Sequence, residues 1–139
     1  MDKAAPKSGP IFIVSSAKFL HLATELQQQL TDLNGFSEVR LWETALGEGL
    51  PIITELMKQT RECDSAAVIL TEDDFRLETK SGTETPSGVP RLDCVFEWGL
   101  FDGAFDLEAN RVFVLTPLPL KSIPSDMHGV NHIELYIRA

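Results

Sequence analysis

The stretch Arg91-Leu92-Asp93-Cys94-Val95-Phe96-Glu97-Trp98-Gly99-Leu100-Phe101-Asp102-Gly103 concentrates residue types that could do chemistry. Glu97 stands inside the apolar run Val95-Phe96-Glu97-Trp98. A carboxylate half-buried among aromatics has a raised pKa unless it is paired, a condition enzymes use. The plain structural alternative is a salt bridge to Arg91 or Arg111, or exposure on an outer helical face. Gly99 and Gly103 lie four apart, on one face of any helix formed here. Interior glycine costs roughly 1 kcal/mol relative to alanine, so the pair predicts a close backbone approach, either to a sheet or to a ligand.

Other reactive residues are more scattered. Ser15-Ser16 follows an apolar run and offers hydroxyls beside helix N-terminal amides, an arrangement suited to an anion or to simple capping. Asp73-Asp74 is an acidic pair without a matching ligand set, weak support for Mg²⁺. His21, His128 and His132 are widely separated, and no Ser-His-Asp or Cys-His arrangement is evident. The chain has no Gly-x-Gly-x-x-Gly and no Gly-x-x-x-x-Gly-Lys-Ser/Thr, so a dinucleotide fingerprint or a P-loop is poorly supported. No metal site is expected.

These residues need a scaffold, and the hydrophobic pattern supplies one. Ile11 to Val14 is apolar on both faces, as in an interior parallel strand. Phe19, Leu22, Leu26, Leu30 and Leu33 then recur three or four apart, and Asn34-Gly35 closes that helix. Val39 to Trp42 is the second strand. Glu43 to Gly49 is a loop with two glycines, and Pro51 opens a helix with apolar positions Ile52, Ile53, Leu56, Met57, Thr60 and Cys63. Ala66 to Leu70 is the third strand. Residues 76–91 read as a long surface loop, Asp93 to Phe105 as a short helix, Arg111 to Leu115 as a fourth strand and Ile133 to Ile137 as a fifth. The alternation predicts an α/β three-layer sandwich with a mainly parallel, approximately five-stranded sheet. Ligands in such sheets bind beyond the carboxyl ends of the strands, where Ser15-Ser16, Glu43-Thr44 and Thr71 to Asp74 lie.

The 139 residues make one domain, residues 11–139, behind a polar leader at 1–10. Twelve basic against 21 acidic side chains leave a net charge of -9, which argues against DNA or RNA as a partner. Cys63 and Cys94 are too few for a disulfide scaffold and read as reduced, small hydrophobes. A cytoplasmic location follows from that usage. No signal peptide or membrane segment is evident.

Five ordered segments resemble a prokaryotic Toll/interleukin-1-receptor (TIR) domain of the nucleotide-binding, TIR-like type. Close relatives by this resemblance are the TIR halves of bacterial STING fusions and other cyclic-nucleotide-activated (CBASS) antiphage effectors. Ile11-Phe12-Ile13-Val14-Ser15-Ser16 resembles the family's opening. Gly49-Leu50-Pro51-Ile52-Ile53-Thr54-Glu55-Leu56 is similar to its Gly-x-Thr-Ile-Ile-Glu-x-Leu segment, with Pro51 in place of threonine. Ala66 to Asp74 resembles its third strand and Thr-Pro-Asp-Asp turn, and Phe96 to Gly103 its Phe-Glu-Leu-Gly-Leu-Phe-x-Gly motif. Ile123 to Val130 is close to its Leu-Pro-Ser-Asp-x-x-Gly-Ile ending. The resemblance runs from Ile11 to about Ile137.

What the resemblance implies is specific. Glu97 would be the catalytic residue of a NAD⁺ glycohydrolase that releases nicotinamide and ADP-ribose or its cyclised form. NAD⁺ is then the substrate, and no cofactor is required. Ser15, Ser16 and Phe19 would border the ribose and nicotinamide; Trp42, Glu43, Arg91 and Asp93 complete the implied substrate site. Gly47, Gly49 and Leu50 fall in the position of the family's gating loop. Homotypic TIR assembly is the expected partner mode, with a fused or separate sensor for a cyclic nucleotide in a longer effector. The chain departs from the family at Arg91-Leu92-Asp93-Cys94, where Arg-Asp-Asn-Val is common, and at Trp98, where leucine is usual. Those departures leave a catalytically silent adaptor as the alternative, and Asp73-Asp74 leaves a small nucleotide-binding or phosphotransfer domain.

Overall fold

The computed structural model describes residues 7–42, 52–105, 110–117, 122–123 and 132–134, the side chains of His132 and Glu134 excepted. Its elements are β1 (Ile11–Val14), α1 (Leu20–Leu33, entered through a 3₁₀ turn at Ala17–Phe19), β2 (Val39–Leu41), α2 (Ile52–Glu62), β3 (Ser65–Ile69), β4 (Asp74–Lys80), β5 (Thr83–Val89), α3 (Leu92–Ala104), β6 (Val112–Thr116) and β7 (His132–Glu134). Strands β1, β2, β3, β6 and β7 form one five-stranded sheet in the order β2-β1-β3-β6-β7. Every pairing in it is parallel. The α/β architecture read from the pattern is the observed one.

Residue alternation along the strands builds the two outer layers, because successive side chains point to opposite faces. Phe12, Val14, Ala66, Val68, Leu70 and Val114 pack with Leu56 and Cys63 from the α2 side and with Cys94, Trp98, Phe101 and Phe105 from α3. Ile11, Ile13, Ala67, Ile69 and Leu41 pack on the other face with Ala23 and the partly buried Leu20, Leu22, Leu26 and Leu30 of α1. All four residues of β1 are buried, as the run of apolar residues demands of a strand covered on both sides. Asn34 ends α1 in the left-handed conformation at φ 57°, its N–H donating to the Thr31 carbonyl.

Several expectations are corrected. Residues 76–91 are not a loop: β4 and β5 pair antiparallel over seven residues, Asp74 opposite Val89 to Lys80 opposite Thr83. The turn is Ser81-Gly82, both at positive φ (53° and 79°), the conformation of a two-residue type I′ hairpin. Most of the hairpin is exposed, and its apolar alternation is confined to Phe75 and Leu77 of β4, both of them exposed. The Gly99–Gly103 face of α3 is also not a close-packed one: a Cβ at either position meets nothing within 4 Å.

Ser16 precedes the 3₁₀ turn but makes no side-chain cap; its hydroxyl is used elsewhere. On α2 the predicted stripe is only half buried. Leu56 and Cys63 are core, along with the polar Glu55 and Gln59, whereas Ile52, Ile53 and Met57 remain exposed. Leu33 is likewise exposed at the end of α1. The predicted fifth strand is represented by β7 at His132–Glu134; its continuation to Ile137 lies outside the described residues. Both cysteines are buried and free. Among the described residues no helix is long and apolar enough to cross a membrane.

Candidate active site

In an open parallel sheet the chain leaves the central strands in opposite directions where the strand order reverses, and a crevice opens beyond their carboxyl ends. Here that point lies between β1, which leads through α1 to β2 on one side, and β3 on the other. A cleft of about 430 Å³ occupies this end. Ser15 and Ser16 line it from the end of β1, Trp42 from just beyond β2, and Ile52, Ile53 and Leu56 from the first half of α2. Arg91, Asp93, Cys94, Phe96 and Glu97 line it from the start of α3.

The polar groups in the cleft are unevenly satisfied. Ser15 is only 5% exposed, and its hydroxyl has no hydrogen-bond partner among the described residues. The Trp42 indole N–H is buried without a partner in the same sense. Buried donors and acceptors are normally paired, so two orphans lining one cleft are groups available to a bound molecule. Ser16 is different. Its hydroxyl donates to Asp73 Oδ1 at 2.7 Å, while Thr71 Oγ1 donates to Asp73 Oδ2 at 2.9 Å.

Glu97 is half-buried on α3, one turn after Asp93. Burial pushes its carboxyl up to about 7; the neighbouring Asp93 charge adds to the rise, and Arg91 opposes it. The alternative of a salt bridge from Glu97 to Arg91 or Arg111 is not formed among the described residues; Arg91 Nε pairs instead with Asp93 Oδ2 at 3.3 Å. Among the described residues Glu97 has no ion-pair partner within 4.0 Å. Cys94, one turn earlier on the buried side, is an inert neighbour: desolvation raises its thiol to about 12, with the Glu97 charge adding to the effect. Phe96 lines the cleft yet is 57% exposed.

The structure thus brings together Ser15, Ser16, Trp42, Arg91, Asp93 and Glu97 from among the residues singled out in the sequence. It does not bring in Phe19. As the last residue of the 3₁₀ turn, Phe19 sets its ring against His21 at 5.9 Å and under the Lys18 ammonium at 5.5 Å, outside the cleft lining. Glu43, Gly47, Gly49 and Leu50 lie outside the described residues. Ile52, Ile53 and Phe96 were not assigned to the site from the sequence. For Ile52 and Ile53 the sequence held no separate signal, because with Leu56 they form an ordinary apolar helical stripe that reads as core. Among the described residues there is no cluster of three or more His, Cys, Asp or Glu suited to a metal ion.

Residues 10–136 match the family described as CAP12/Pycsar effector protein, TIR domain. The chain belongs to this family. A curated relative, CD-NTase-associated protein 12 of Sphingobacterium faecium, is 33% identical over 121 residues. That match takes in 87% of this chain and 34% of the relative, so the chain spans about a third of that protein's length. Within the TIR domain described here the cleft sits where the sheet topology requires one, and Glu97 of the Phe-Glu-Trp-Gly segment points its titration behaviour toward neutral pH.

Proposed function

We propose that this TIR domain hydrolyses the nicotinamide–ribose bond of NAD⁺, as the effector part of a cyclic-nucleotide-signalled antiphage system. The observation that carries the reading is Glu97: a half-buried carboxyl, free of an ion-pair partner among the described residues, in a cleft whose other groups include an unpartnered hydroxyl and an unpartnered indole N–H. Cleavage lengthens the bond between ribose C1′ and the pyridinium nitrogen until nicotinamide leaves as a neutral molecule. Positive charge then spreads over C1′ and the ring oxygen, and a carboxylate in a poorly solvated cleft stabilises it. Water adds to C1′, giving ADP-ribose and one proton. A carboxyl with a pKa near 7 is suited to take that proton. In the cyclised product a nucleophile of the adenine ring replaces water at the same carbon.

Trp42 and Phe96 offer aromatic surface for a planar base, and Arg91, half-exposed at the rim and paired with Asp93, offers a cation to the diphosphate. The family is described by an effector protein and the relative is named as CD-NTase-associated, and together these names support a cyclic nucleotide as the upstream signal. Assembly of several copies is the expected route to activity. The test is nicotinamide release and NAD⁺ loss measured together by chromatography on assembled samples. Wild type is expected to turn over. Glu97→Gln should lower the rate by roughly 10²-fold or more, whereas Glu25→Gln on the exposed surface of α1 should not. Equal rates for wild type and Glu97→Gln would remove Glu97 from the mechanism.

A further inference from the structure

Asp73 stands behind the cleft, outside its lining, at the turn that follows β3. Its backbone N–H donates to the Thr71 carbonyl at 2.9 Å, which folds the side chain back toward the end of β1. Both carboxylate oxygens are then committed, Oδ1 to the Ser16 hydroxyl and Oδ2 to the Thr71 hydroxyl. A serine hydroxyl carries one proton and two lone pairs. Since the Ser16 proton is spent on a short, charge-assisted bond to Asp73, the oxygen has only acceptor capacity left for the cleft it lines.

We propose that Asp73 is a positioning residue for the NAD⁺ site: by holding the Ser16 proton, it fixes an acceptor-only oxygen in the cleft and selects a substrate group that presents an O–H or N–H there. The inference rests on the NAD⁺ reading. Ribose hydroxyls and the carboxamide of the dinucleotide supply such donors. Phosphate oxygens do not: placed against Ser16 they would meet lone pairs backed by a carboxylate. The Ser16 oxygen at the end of β1 is therefore a place for the sugar or the base and not for an anion, whereas the Ser15 hydroxyl keeps its own proton. The acidic turn is likewise a hydrogen-bond acceptor turned inward, which accounts for Asp73 without a metal ion.

A double-mutant cycle on kcat/KM for NAD⁺ tests this, because a residue acting through Ser16 has nothing to act on once Ser16 is gone. Ser16→Ala and Asp73→Ala should each lower kcat/KM about tenfold, the worth of one good hydrogen bond. The double variant should lose about tenfold in all, not a hundredfold. Much of each loss should sit in KM. Asp73→Asn keeps the shape and offers the two hydroxyls one carbonyl acceptor between them, so it should show a smaller loss that again disappears in the Ser16→Ala background. It carries the test if Asp73→Ala does not fold. An Asp73 effect of equal size with Ser16 present or removed overturns the proposal, as does no effect of Asp73 substitution on KM. Absence of NAD⁺ cleavage by assembled wild type overturns the parent reading instead, and with it the substrate named here.

Discussion

Glu97 is the residue on which the chemistry turns, and its environment makes the pH dependence predictable. Its pKa in the folded protein, about 7, lies above the ordinary glutamate value because burial and Asp93 both disfavour the charge. If the carboxylate is the working form, kcat/KM rises with pH to a plateau, with a midpoint near 7 in the free enzyme. A pH–rate profile already flat from pH 5 to 8 would contradict that assignment. The same shift has a consequence for stability. The folded state holds this proton more tightly than the unfolded chain, so the contribution of Glu97 is most favourable below about 4.5 and is lost as pH climbs to about 7. Glu97→Gln should therefore raise the thermal midpoint more at pH 8 than at pH 4.5, by an amount worth at most about 3 kcal/mol. Thermal unfolding of both proteins at the two pH values is the measurement. At the opposite extreme are Cys63 and Cys94, whose thiols burial lifts to about 11 and about 12. Native protein should react with a thiol reagent at neutral pH only as fast as it opens, and rapid titration of either cysteine would show the core to be looser than described.

At the scale of elements, periodicity revealed what is covered and failed on what is exposed. β1 and β3 announce themselves as runs apolar on both faces, since each is sandwiched between helices. The β4–β5 hairpin packs few side chains on anything, so its sequence is rich in Thr, Glu, Lys, Ser and Pro, and its local marks are the Ser81-Gly82 turn and the short Phe75/Leu77 alternation. The site divides in the same way. Glu97 is conspicuous as a charge inside an apolar run. The link from Ser16 to Asp73 joins positions 57 apart and depends on the register of β1 against β3, which no short window of sequence contains. Helix α3 yields a prediction of its own. Because Cβ atoms at Gly99 and Gly103 would stand in open space, Gly99→Ala and Gly103→Ala should each stabilise the monomer by about 0.5–1 kcal/mol through helix propensity. Chemical denaturation decides it. Destabilisation by either substitution would restore the close approach that the glycine spacing first suggested.

For the whole molecule the governing quantity is charge. A net charge of -9 on 139 residues makes copies repel, most strongly at low ionic strength. Dilute protein is expected to be monomeric and weakly active, with specific activity rising with concentration and with added salt until screening is complete. Light scattering and turnover measured on the same dilution series check both halves of that statement. High specific activity in a demonstrated monomer would show that one copy holds the complete site.

The hairpin has a practical use that follows from where its two ends lie. Asp74 is paired with Val89, so the strands hold Asp73 and Arg91 near one another while the Ser81-Gly82 tip stands seven residue pairs away and lines no part of the cleft. A peptide or fluorescent tag spliced between Ser81 and Gly82 would lengthen only an exposed loop, whose closure entropy grows slowly with length. The ladder beneath it would shield the spacing of Asp73 and Arg91 from the graft. That turn is the natural address for a reporter with which to watch copies of the domain gather without disturbing the chemistry being watched.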